Sequence, residues 1–157
     1  MEVRVSKVKY DHKAGSVQIE YDQIQSNGTD DIKVVLKSFD EPLQEFKDAL
    51  NKLAPFVEKI CQLPEGYCSQ AEIRGVSFSN SNDIMGAVIT ALVPLDTAYS
   101  PVCINTPHLP SGQYNEGGEA PELPRECVII LNQLIEECEK YINGERTPDN
   151  QTKLELE

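Results

Sequence analysis

Basic side chains are in short supply: 14 Lys and Arg stand against 26 Asp and Glu, for a formal net charge of −12 over 157 residues. Such a balance repels phosphate backbones and removes the counterion release that drives ordinary nucleic-acid binding, so direct contact with DNA or RNA is not expected. It leaves open a small anion held in one local positive site, because screening limits the reach of distant charges to about 10 Å. An acidic surface also suits solubility or a basic partner.

Long apolar runs are missing as well. No stretch approaches the roughly 20 residues that span a bilayer, and "MEVRVSKVKY" lacks the apolar centre of a signal peptide. The expectation is a cytoplasmic protein without membrane contact. Histidine occurs only as His12 and His108, and no C-x2-C pair is present, which argues against structural zinc. The five cysteines, Cys61, Cys68, Cys103, Cys127 and Cys138, form an odd set within apolar runs, as reduced core thiols do. Neither G-x-S-x-G nor a glycine-rich phosphate loop occurs, and "NSND" lacks the spaced acids of a calcium loop. No cofactor and no metal are expected.

What is present is periodicity. Val3, Val5, Val8 and Tyr10 alternate with a phase slip near Ser6, and Val17, Ile19 and Tyr21 alternate cleanly, with "DHKAGS" as the turn between them. Ile32, Val34 and Leu36 continue the pattern as a third strand. "SFDEPLQEF" reads as a helix start, with Asp40 as N-cap and Pro42 in the first turn. Leu43, Phe46, Leu50, Leu53, Val57 and Ile60 then recur at helical spacing, and Pro55 should kink or divide the helix. "AEIRGVSFSNSNDIMGAVITALVPLD" reads as a hairpin turning at 80–83, and its second arm, apolar on both faces, is the candidate central strand. Residues 101–104 add a last short strand. A closing helix follows from "LPREC" to a cap at Asn143 and Gly144. The predicted fold is α+β: a mostly antiparallel sheet of about six strands, order βββαβββα, with two amphipathic helices on one face. Residues 1–144 form a single domain, and 145–157 an acidic, disordered tail.

The stretch "CINTPHLPSGQYNEGG" and the residues after it make a loop longer than compact domains usually leave without structure, and such loops are either disordered or functional. Asn105, Thr106 and His108 offer hydrogen bonds on a proline-stiffened segment, and the glycine-rich remainder resembles a lid. Arg74, in a strand, and Arg125, at a helix start, are suited to forked recognition of phosphate or carboxylate. Tyr114 or Phe78 could stack on a base. These seven residues, Arg74, Phe78, Asn105, Thr106, His108, Tyr114 and Arg125, are the predicted ligand site, bordering a recess. Cys103 with His108 is the nearest approach to a nucleophile and base, with Cys103 assigned to the core instead.

"AEIRGVSFSNSNDIMGAVITALVPL", "INTPHLP" and "LIEECEKYINGER" together resemble small accessory proteins encoded by bacteriophages and prophages, over residues 71–146. The resemblance carries over no activity residue by residue, but it implies action by stoichiometric binding in the host cytoplasm. The leading expectation is a non-enzymatic counter-defence protein that sequesters a small nucleotide-like immune signal, as a homodimer or higher oligomer. The alternative is an acidic inhibitor or nucleic-acid mimic that occludes a host defence protein. An enzyme relying on His108 is the third reading.

Overall fold

Near the N-terminus the alternation becomes three antiparallel strands in the computed structural model, which describes residues 2–24, 31–81, 84–111 and 121–147. They are β1 (Glu2–Asp11), β2 (Ser16–Ile24) and β3 (Asp31–Ser38). A bulge between Val5 and Lys7 absorbs the phase slip, so Val5 faces Tyr21 before it while Val8 and Tyr10 face Ile19 and Val17 after it, all on one buried side. The second half supplies β4 (Glu72–Ser81), β5 (Ile84–Val93), β6 (Val102–Asn105) and β7 (Leu109–Pro110). The seven strands form one antiparallel sheet in the order β3-β2-β1-β4-β5-β6, with β7 also on β5. The doubly apolar β5 is an interior strand, flanked by β4 and by β6 and β7, while β1 and β4 occupy the middle of the order.

Pairing along β5 runs further than the sequence predicts. The expected last strand ends at Ile104, yet the ladder continues to Ser111, whose N–H donates to the Met85 carbonyl at 2.8 Å. Between β6 and β7 the side chain of Thr106 bridges the gap. Its N–H donates to the Ile89 carbonyl, and its Oγ1 accepts from the Ile89 N–H, both at 2.9 Å. Pro110 is tolerated because an edge strand in an antiparallel pair uses only every other N–H. The first half of the supposed loop is therefore sheet edge, and 112–120 lie outside the described residues.

The helical stripe is divided into α1 (Gln44–Asn51) and α2 (Ala54–Ile60), with Pro55 in the first turn of the second segment, where a missing N–H costs no bond. Asp40 does not cap α1, which starts only at Gln44 with Leu43 at the N-cap position. The Asp40 carboxylate accepts instead from Arg146 at 2.8 Å, an ion pair that draws it away from the helix amides. α3 (Arg125–Ile142) begins after Pro124 and ends at Asn143 and Gly144, whose φ of 95° favours glycine. Glu145, Arg146 and Thr147 stay with the fold: Thr147 donates to the Glu41 carbonyl at 2.8 Å, and the Arg146 guanidinium lies 4.1 Å from the centre of the Tyr141 ring. Residues 148–157 lie outside the described part.

Phe46, Leu50, Leu53 and Val57 of the divided helix join Leu131, Leu134, Cys138 and Tyr141 of α3 over Val8, Val17, Ile19, Ile73, Val76 and Ile89 of the sheet. Both helices thus lie on one face, and among the described residues no helix covers the opposite face of the sheet. No helix among the described residues is long and apolar enough to cross a membrane.

Candidate functional site

Antiparallel partners share a face, so strand register lays out the uncovered side row by row. One row crosses the whole sheet: Lys37, Gln18, Lys9, Gly75, Thr90 and Asn105. Beside it run Val35, Glu20, Lys7, Ser77 and Val88. Lys33, Asp22 and Arg4 form a third row on β3, β2 and β1. At about 4.8 Å per strand, Lys9 and Asn105 stand about 14 Å apart. No side chain rises between Lys9 and Thr90, because a Cβ on Gly75 would lie 2.2 Å from the Val8 carbonyl oxygen and glycine is required there.

Cations elsewhere are divided: among the described residues Lys13, Lys52, Lys59 and Arg125 take part in no ion pair. Lys47, Arg74, Lys140 and Arg146 are each paired with a carboxylate. Among the described residues, Arg4, Lys7, Lys9, Lys33 and Lys37 take part in no ion pair, although Glu20 and Asp22 share their rows. The Lys7 ammonium beside Lys9 pushes the Lys9 amine below its ordinary pKa, with partial burial and Arg74 adding to the effect and Glu20 opposing it. Within these three rows five cations stand against two carboxylates, while Glu2, Asp11 and Glu72 lie further along the same face, the last two beside Arg74.

The predicted ligand residues do not all converge on it. Asn105 closes the long row on the open face; the Thr90 hydroxyl donates to its Oδ1 at 2.6 Å, which leaves the carboxamide N–H groups as donors to a ligand. Thr106 is buried and committed to Ile89. His108 lies across Gly86 with its Nε2 2.7 Å from the Ser79 Oγ, and a Cβ on Gly86 would fall 2.3 Å from that nitrogen. Its partner is thus Ser79 and not Cys103, which sits exposed opposite Leu92. No third group orients the imidazole among the described residues. Arg74, at a β4 bulge, has its fork occupied by Asp11 at 2.9 Å and Glu72 at 3.7 Å. Asp11 also accepts from the Ala14 and Lys13 amides, and these bonds, that of Ala14 first, hold its carboxyl below the usual range together with Arg74. Phe78 points into the core, so its ring offers no stacking surface. Arg125 is exposed at the start of α3, on the helical side. Tyr114 lies outside the described residues.

Sequence reasoning missed Arg4, Lys7, Lys9, Lys33, Lys37, Ser77, Ser79 and Thr90. The alternation that located the strands already put the lysines at polar positions. Their union with Thr90 and Asn105 depends on β1 pairing with β4, which no local pattern announces.

Three concavities lie away from this face. One of ≈ 330 Å³ is lined by Glu2, Val3, Glu139, Ile142 and Asn143, one of ≈ 290 Å³ by 96–99, and one of ≈ 180 Å³ by residues including Glu45, Asp48, Lys52 and Glu137. None of them borders Asn105, Thr106 or His108. No group of three or more His, Cys, Asp or Glu among the described residues is arranged to hold a metal ion. No protein-family model, curated protein or solved structure matches the chain.

Proposed function

We propose that the protein is a non-enzymatic binder that holds a small nucleotide-like anion on the open face of the sheet, with phosphate over Lys7 and Lys9 and the polar end at Thr90 and Asn105. The observation that carries this reading is the gathering on one open face of five cations, Arg4, Lys7, Lys9, Lys33 and Lys37, that take part in no ion pair among the described residues. Lysines crowded with like charge gain from an anion both direct attraction and relief of their mutual repulsion. The transverse row adds a length of about 14 Å, that of a nucleotide, with Gly75 leaving its centre bare. The Asn105 amide supplies donors of the kind that read the edge of a base. Holding such a ligand without turnover suits a phage counter-defence protein that removes a host signal from solution, in line with the resemblance over residues 71–146.

Calorimetry against cyclic nucleotides and ADP-ribose derivatives tests the proposal. One member is expected to bind stoichiometrically and to be recovered unchanged. Lys7→Ala with Lys9→Ala should weaken it by at least about tenfold, since hydrogen bonds to charged groups contribute about 1.5–3 kcal/mol each. His108→Ala should leave the ligand intact in solution just as the unsubstituted protein does. Absence of heat across the panel would overturn the reading, and conversion of the ligand would replace it with an enzyme.

A further inference from the structure

α1 and α3 pack against each other over the sheet, and the seam between them holds a carboxylate with only half of its acceptor capacity used. Glu137 is 9% exposed. Its Oε2 accepts from the Lys140 ammonium at 2.9 Å, one turn along α3. Its Oε1 is buried and takes no hydrogen bond among the described residues. A carboxylate oxygen withdrawn from water with nothing in return is costly, so it marks a place where a donor belongs.

That side chain lines a concavity of ≈ 180 Å³, together with Glu45, Asp48, Ala49 and Lys52 on the α1 side and Gln133 one turn earlier on α3. Glu137 and Ala49 are buried and form its floor, while the other four are exposed and form its rim. Three acids thus stand against one base in the lining, and that base, Lys52, takes part in no ion pair among the described residues. Glu137 first, and after it Glu145 and Glu45, hold the Lys140 amine above its ordinary pKa against the opposing effect of burial, as a negative potential along the seam requires.

The chemistry of an occupant follows from these groups. A negative lining selects a cation, yet no three His, Cys, Asp or Glu among the described residues are arranged to hold a metal ion. A guanidinium engages both oxygens of a carboxylate, and one oxygen of Glu137 is already taken by Lys140. An ammonium needs only one acceptor for each of its three N–H groups. At about 30 Å³ for each water-sized group, the concavity has room for about six non-hydrogen atoms.

We propose that the seam between α1 and α3 binds a small alkylammonium ion, with its nitrogen donating to the Glu137 Oε1 and its carbon chain on Ala49. In a diamine the second charge lies between Glu45 and Asp48. The site is on the helical side of the sheet and is independent of any anion on the open face.

An NMR titration of the whole chain with 1,4-diaminobutane tests it, with 1,4-butanediol as the neutral isostere and ionic strength held fixed with sodium chloride. The diamine should bind saturably at one site and shift the side-chain carboxyl resonance of Glu137, and the diol should do neither. Glu137→Gln keeps the volume and removes the charge, and it should weaken binding by about tenfold or more. Asp48→Asn, on the exposed rim where folding is not at risk, should weaken it by about twofold, and Glu65→Gln, exposed in the loop after α2, should leave it unchanged. Shifts that do not saturate, equal affinity in Glu137→Gln, or an equal response to Mg²⁺ would overturn the proposal and reduce the seam to diffuse attraction of counterions. So would tighter binding of Nα-acetyl-lysine methylamide than of the diamine, which would assign the seam to a lysine of a partner protein.

Discussion

Gly75 and Gly86 both lie in the open sheet, yet the reasons they lack a side chain differ. A Cβ on Gly75 would meet backbone, the Val8 carbonyl at 2.2 Å, so β1 and β4 would have to separate. A Cβ on Gly86 would meet the far ends of two side chains, His108 Nε2 at 2.3 Å and Ser79 Oγ at 2.7 Å, which can rotate away. Gly75→Ala should therefore cost about 3 kcal/mol or more and Gly86→Ala about 1 kcal/mol, the first through strand displacement and the second through one lost hydrogen bond. Urea denaturation of the two variants checks the order, and the imidazole resonances of His108 should shift only in Gly86→Ala. An equal loss in both would mean that the β1–β4 contact is more pliable than its geometry indicates.

Among the elements, α3 carries an apolar stripe that matches its burial, with Glu137 as the buried exception. Cys127, Leu131, Leu134, Cys138 and Tyr141 recur at helical spacing and are all buried. Burial pushes the Cys127 thiol up to about 11, and it pushes Cys138 higher still, with Glu139 and Glu137 adding to the effect. The reactive species is the thiolate, so at about pH 8 both should resist a thiol reagent in the folded protein, while the exposed Cys103 of β6 should react at once. Mass mapping after a short pulse of labelling tests this, and rapid modification of Cys138 would show that α3 opens readily from the sheet. The division at Pro55 was legible because proline acts locally. The β6–β7 edge was not: Thr106 replaces a strand bond with a side-chain bond, and prolines flanking it read as loop punctuation, although each is compatible with an edge.

Over the whole molecule, net negative charge coexists with a face on which Arg4, Lys7, Lys9, Lys33 and Lys37 take part in no ion pair among the described residues. Salt of any kind relieves the overall self-repulsion, whereas an anion held on that face stabilises by mass action. Phosphate or a mononucleotide should therefore raise the thermal midpoint above that in sodium chloride at the same ionic strength, and the excess should vanish in Lys7→Glu/Lys9→Glu. Identical midpoints in the two salts would leave that face without a ligand of this class.

The amino-acid sequence by itself determined which segments are strands and helices, β7 apart, which side of each faces the core, and where proline and glycine interrupt them, because these follow from periods of two and 3.6 residues and from backbone sterics. Only the tertiary structure decided that β1, and not β3, lies beside β4. That choice brings Lys9 into line with Thr90 and Asn105, withdraws Phe78 into the core and spends Arg74 on Asp11. Strand order is settled by which apolar faces cover one another best under the two helices, a property of the assembled layers that is not written into any one segment.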